Sequence, residues 1–522
     1  MEKSIKTNNL FQTPMYQTKG LSFSSYKDCL AQSDIEVTLD VAAIQSFLSF
    51  GYVCGDRTLI KEIKRQPWLS TLKEDKFQLD EIPKHGFFTD SYDNLADLFF
   101  NSLVDEAFEA TKDFENIYVL LSGGLDSRII AGILKQLFDQ GKLKSKPIAV
   151  TWGLENSRDV QYAKKLAEIL DFEIIHITID PEIVMKNINF TAKQLGLIHS
   201  PEMLHNMTWF KNLPKNSIVL AGSFGDSIGR ADFGGLHLLQ LDTPDPNDNY
   251  NILKTTFATD AKQNVKNDIT KLFQRSPKAQ PYMHNEHFMQ AYRMRGGLCH
   301  ALSAINGNAE IYQMFTSPKV YSFIWSLHPS MRGDDIYIHL LKNHLPVLAN
   351  FPWARTNKAL KGKTIGAIKG LKYHYHEYTK WSKNYLKNDL EKLIDIDWFE
   401  NFGIFNIESI ISLRNLVRKS EARVGRVNDV WLWLAGFRVF VEDLEKSGKK
   451  LIIPESDSCI EALPNKKKLN LLTISKNYIL NKSVLINKIT KIIRTVYRKK
   501  QLKNIKKKYQ VMFPPIRITD EK

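Results

Sequence analysis

Ser122-Gly123-Gly124-Leu125-Asp126-Ser127 sets two hydroxyls, two glycines and a carboxylate directly after the apolar run Ile117 to Leu121. Glycine has no Cβ, so a turn built this way brings backbone close to a ligand. If a helix starts at once, its free N–H groups and the positive end of its dipole favour phosphate. Ser122 and Ser127 would add hydroxyl hydrogen bonds. Asp126 would repel a bare phosphate, but it suits the site if Mg2+ lies between them, since that ion takes one or two carboxylates together with phosphate oxygens. A tight turn with Asp126 capping the helix is the alternative, and the complete string favours the phosphate reading.

A second stretch repeats the logic. Ser217 to Ala221 is apolar and is followed by Gly222-Ser223-Phe224-Gly225-Asp226-Ser227. On loops ending neighbouring strands, Asp126 and Asp226 would bracket one metal-bound pyrophosphate; Asp226 as a simple turn residue is the other reading. His199-Ser200-Pro201-Glu202, ahead of a helical stretch, falls where a substrate pocket wall is expected. Gly362-Lys363-Thr364 looks like the end of a different phosphate loop, G-x-x-x-x-G-K-T, but Asn357 stands where its first glycine belongs.

The elements that must carry these turns follow from periodicity. Helical spacing covers Leu98 to Ala110, Asp126 to Phe138, Arg158 to Leu170 and Glu182 to Leu195. Strand patterns cover Ile117 to Leu121, Pro147 to Trp152, Phe172 to Thr178 and Ser217 to Ala221. Such alternation predicts a parallel sheet covered on both faces, with ligands at the carboxyl ends of its strands. After about residue 280 the pattern becomes mostly helical, including Val430 to Leu444. Three segments result: 1–95, a small α+β region with a helix near Val41 to Phe50 and a strand near Lys76 to Leu79; 96–464; and a tail, 465–522.

The glycine turns and this alternation resemble the PP-loop ATP pyrophosphatases, and within them the synthetase domain of asparagine synthases, over about Gly51 to Val441 and most closely from Ile117 to Gly235. The resemblance implies an adenine nucleotide α-hydrolase-like sheet followed by a helical subdomain. It implies ATP cleaved between its α and β phosphates, with Ser122, Gly123, Gly124, Asp126 and Ser127 on the pyrophosphate. Backbone at Leu121 and from Val150 to Trp152 would frame the adenosine. Gly222 and Asp226 match the family's S-G-E-G-x-D-E turn, whose second acid coordinates magnesium pyrophosphate. Ser223 stands where that turn has glutamate, and a serine is no general base near neutral pH without help. By the same resemblance a basic residue neutralises phosphate charge from the loop Pro346 to Lys358, with Lys358 the first choice and Arg355 the second. The implied activity is an AMP-forming amide ligase that adenylates a small-molecule or peptide carboxylate and transfers ammonia or an amine to it. A PP-loop transferase acting on tRNA and a non-catalytic nucleotide-binding scaffold are the alternatives.

Glutamine-dependent members use an N-terminal cysteine as glutaminase nucleophile. Position 2 here is Glu2, and Cys29 is internal, without the free α-amine that serves as base. Residues 1–95 therefore read as a truncated glutaminase-like remnant centred on Gly51 to Phe88, and a separate glutaminase is a candidate ammonia source. Cys29, Cys54, Cys299 and Cys459 form no C-x-x-C pair, which argues against zinc and redox dithiol chemistry.

The net charge of +15 is local: acids and bases balance at 55 each before Asn465, whereas Asn465 to Gln510 holds fifteen bases and no acid. Leu485, Ile489, Ile492 and Val496 give that segment an apolar stripe beside Lys491, Arg494 and Arg498. The pattern predicts an amphipathic basic helix that binds an anionic membrane surface, binds nucleic acid or packs as a solvated helix on the body, with the membrane slightly favoured. Binding to anionic liposomes or to RNA separates these readings. Without an apolar signal region or an 18-residue apolar run, the expected location is cytoplasmic, peripheral at the inner membrane surface.

Overall fold

The computed structural model describes residues 15–226, 243–299, 301, 309–360, 362–420, 425–455, 503–504 and 516–517. The stripe from Leu485 to Val496 and the last residue of the second motif, Ser227, lie outside them.

The centre is a five-stranded, all-parallel sheet: β1 (Asn116–Leu120), β2 (Ile148–Trp152), β3 (Glu173–Ile177), β4 (Ser217–Ala221) and β5 (Ala309–Gln313), in the order β3-β2-β1-β4-β5. The chain therefore runs outward from β1 through β2 to β3, then returns to the far side of β1 as β4. That reversal creates a crevice between the ends of β1 and β4, the place where open α/β sheets bind ligands. β1 and β4 are the most buried strands of the sheet, with four of five residues in β1 and all five in β4 buried, and covered on both faces they read as apolar runs. As the last strand in the order, β5 (AEIYQ) needs no continuous apolar run and keeps Glu310 exposed, so a region that reads as helical from sequence contains a strand.

Helices α1 (Leu125–Asp139), α2 (Arg158–Ile169) and α3 (Pro181–Leu195) follow β1, β2 and β3. Side chains cap two of them: Ser157 accepts from the Val160 N–H and Asp180 from the Ile183 N–H. α1 differs, for its cap is Gly124 with no side-chain hydrogen bond. The later half is helical, closed by the buried helix Val427–Lys446. The N-terminal region shares this core: Phe47 stacks on Trp433 at 4.8 Å, and strand Glu36–Thr38 pairs with Lys450–Ile452. At the other end of the chain, Ile516–Arg517 pairs with Phe88–Thr89. Among the described residues no helix is long and apolar enough to cross a membrane.

One buried cation locks the site region. Arg128, fully enclosed on α1, donates to the carbonyls of Leu348, Phe351 and Pro352 at 3.1, 3.0 and 2.7 Å and to that of Gly123 at 3.4 Å. It thereby ties the segment leading to Arg355 onto the first glycine turn. Desolvation pulls its pKa down to about 10, so the guanidinium remains charged at neutral pH. Replacing it leaves several enclosed carbonyls without their donor. Arg128→Met is expected to lower stability by about 3 kcal/mol, and Arg128→Lys to restore only part of that, because one ammonium cannot span the fork; denaturant midpoints measure both.

Candidate active site

The two glycine turns meet. A Cβ on Gly225 would lie 2.3 Å from Asp126 Oδ1, and one on Gly222 would lie 2.8 Å from the Ser127 nitrogen. Neither glycine has a positive φ, so what each position requires is room and not an unusual backbone conformation. Tyr337 Oη donates to the Gly225 carbonyl at 2.9 Å and braces the second turn from behind. A cavity of about 390 Å³ opens where the turns touch. Leu121, Ser122, Gly124, Asp126 and Ser127 line it from the first turn, and Gly222, Ser223 and Asp226 from the second. Asp126 and Asp226 thus face one space.

In the first turn the hydroxyls fold back onto the loop. Ser122 Oγ accepts from the Gly124 N–H at 3.1 Å, Ser127 Oγ accepts from the Ser122 N–H at 3.2 Å, and the two hydroxyls lie 3.1 Å apart. Gly123 points the other way. Its carbonyl accepts from the Ala354 N–H at 3.0 Å, and a Cβ there would stand 2.6 Å from the Ala354 Cβ. Thr151 and Trp152, from the end of β2, and Tyr375 complete the lining and bring two aromatic rings to it.

A third acid was not legible in the sequence. Asp159, at the start of α2, also lines the cavity. Burial pushes its carboxyl up to about 6, opposed by a hydrogen bond from the Gly123 backbone and by Arg158. Among the described residues no group of three or more His, Cys, Asp or Glu suits a metal, so Asp159 does not join Asp126 and Asp226 in a ligand cluster.

Other expected residues lie outside the lining. Val150 is fully buried and its carbonyl accepts from the Leu121 N–H at 2.8 Å, so it sets the spacing of β1 and β2 while Thr151 and Trp152 face the cavity. Arg355 and Lys358 are exposed; Arg355 sits 5.5 Å over Trp353, and the Lys358 carbonyl accepts from the Trp353 N–H at 3.0 Å. Their loop is pinned to the first turn through Ala354, whereas their charges point to solvent. His199 is buried, with its backbone bridged to Tyr52, and Glu202 accepts from Asn428 on the closing helix. That motif packs between the N-terminal region and the last helix and contributes nothing to the cavity lining. Arg128, Asp159 and Tyr375 escaped notice because their role depends on folding alone; no local spacing marks them.

Sheet order, reversal point and paired glycine turns define an α/β nucleotide-binding domain of PP-loop type. Residues 100–296 match the family model described as asparagine synthase, which supports an ATP-dependent ligase or amidotransferase family for this stretch. The match takes in both turns and all three cavity acids, and ends before Arg355, Lys358 and Tyr375. No curated protein matches the chain.

Because its folded pKa is raised, Asp159 binds a proton more tightly folded than unfolded, and its cost to the fold grows as pH rises from about 4 through about 6. Asp159→Asn, which keeps an acceptor for Gly123, is expected to melt higher than wild type at pH 7, by roughly 2 kcal/mol in stability. The advantage should vanish near pH 4; thermal melts across that range read it.

Proposed function

We propose that the chain is an AMP-forming, ATP-dependent ligase that adenylates a carboxylate and passes the acyl group to ammonia or an amine. The observation that carries this reading is the single cavity lined by both glycine turns and both of their acids. Among the described residues none that lines it is a cation, so the only charged side chains a polyphosphate would meet in that lining are carboxylates. Mg2+ fits the donor set: two carboxylates facing a loop suited to phosphate are what this ion takes when phosphate oxygens complete its shell. When bound, it would neutralise the β and γ phosphates and stabilise the departing pyrophosphate.

In this reading the Ser122–Ser127 turn exchanges its internal hydrogen bonds for phosphate oxygens, and the uncapped start of α1 adds free N–H groups. The substrate carboxylate attacks the α-phosphate, forming an acyl-adenylate as the bond to pyrophosphate breaks. The amine then attacks the acyl carbon, AMP leaves, and the amine's proton passes to base. Arg355 or Lys358, on the loop pinned to Gly123, swings inward to offset charge during the first step. Ser223 lines the cavity where the family's acid would be, so proton handling falls to the amine's own environment or to another group. Substrates consistent with the site are aspartate, a sugar uronate, or a peptide carboxylate joined to its own amine, with free ammonia, a substrate amine or a separate glutaminase supplying nitrogen.

The test is carboxylate-dependent exchange of labelled pyrophosphate into ATP across a broad panel of acids. Exchange with at least one acid, lost in Asp126→Asn, is the expected result. ATP binding without exchange or AMP release for any acid would reject the ligase in favour of a nucleotide-binding scaffold.

A further inference from the structure

We propose that Tyr375 is the nucleobase wall of this cavity and that His205, backed by Tyr378, is the positioning residue that fixes it; the inference rests on the cavity accepting ATP. The phosphate-suited turns follow β1 and β4, whereas Trp152 ends the next strand, β2, and with Tyr375 supplies the aromatic rings of the lining. A flat aromatic base suits those rings, because stacking on them needs no particular hydrogen-bond pattern.

Tyr375 belongs to an irregular stretch in which Gly362, Gly366 and Gly370 all have positive φ, so nothing regular holds its ring. Three contacts do. Its carbonyl accepts from the Leu154 N–H at 2.8 Å. Beneath it Gly153, at φ +131°, leaves no space for a Cβ, which would stand 2.8 Å from the Tyr375 Cβ. Its hydroxyl lies 3.3 Å from His205 Nε2.

His205 is itself held from several sides. Its Nδ1 is 2.9 Å from Tyr378 Oη, its ring lies 6.0 Å from that of Trp152 at 26°, and its carbonyl accepts from Asn187 Nδ2 at 2.7 Å. Its backbone sits at φ +47°, which a histidine adopts only when its surroundings impose it. The imidazole is neutral, since desolvation lowers its pKa to about 4. Tyr378 is buried, so its O–H must be satisfied within the protein and donates to Nδ1. The ring proton then sits on Nε2 and is donated to Tyr375. A buried hydroxyl thus sets the tautomer, the tautomer sets the bond to Tyr375, and the ring of Tyr375 is fixed in the lining it shares with Trp152.

The test titrates the full chain with ATP and, separately, with inorganic pyrophosphate, both with Mg2+. Tyr375→Ala is expected to weaken ATP about tenfold, within the range for one lost stacking partner, and to leave pyrophosphate within about twofold, inside ordinary variation for a site it does not touch. His205→Phe should act in the same direction on ATP alone, and His205→Gln, which retains an N–H, should recover most of the loss. Unchanged ATP affinity in Tyr375→Ala would overturn the proposal, as would equal weakening of ATP and pyrophosphate, the mark of a purely structural role. If wild type binds pyrophosphate but not ATP, the base wall is wrong while the phosphate site stands; if it binds neither, the ligase reading itself falls.

Discussion

Two strand-end turns touch backbone to backbone, and the site exists because nothing keeps them apart. Gly222 and Gly225 lie so near Asp126 and Ser127 that any side chain at either position would collide with the first turn. Protein interiors do not yield to such overlap cheaply, since close packing leaves few voids to absorb it. The same closeness turns two separate acids, a hundred residues apart in sequence, into neighbours across one cavity.

The remainder of the fold serves that contact. Strand order puts the ends of β1 and β4 side by side, and the reversal between them leaves the crevice open. Arg128 and the Ala354 N–H hold the segment before Arg355 against Gly123, so a loop distant in sequence becomes a wall of the first turn. The electrostatic consequence is a cavity lined, among the described residues, by acids and no cation. A polyanion enters such a space only with a counterion. In the proposed reading that charge comes from an ion between Asp126 and Asp226 and from the exposed Arg355 or Lys358 nearby.

Much of this was legible in the sequence. The strands Ile117 to Leu121 and Ser217 to Ala221 were readable because burial on both faces demands continuous apolar residues, and the glycines at their ends announced a close approach. The parallel sheet, its alternating helices and the two acids facing one cavity follow from that pattern. β5 was not readable, because an edge strand of mixed composition leaves no periodic signature. In the sequence Asp159 is one more charge in the first turn of a helix; only its enclosure beside Gly123 makes it part of the lining. Tyr375 and His205 are separated by 170 residues, and only the folded chain puts them in contact. Val150 lies one residue short of the cavity, because only the last two residues of β2, Thr151 and Trp152, reach the lining at the strand's carboxyl end.

The central claim is that Asp126 and Asp226 act on one ion and one ligand. A double-mutant cycle on Mg2+-dependent pyrophosphate binding, using Asp126→Asn, Asp226→Asn and the pair, addresses it most directly. Shared ligation predicts that either substitution alone weakens binding nearly as much as both together, with a coupling of at least about 1 kcal/mol. Independent, additive losses would contradict the account.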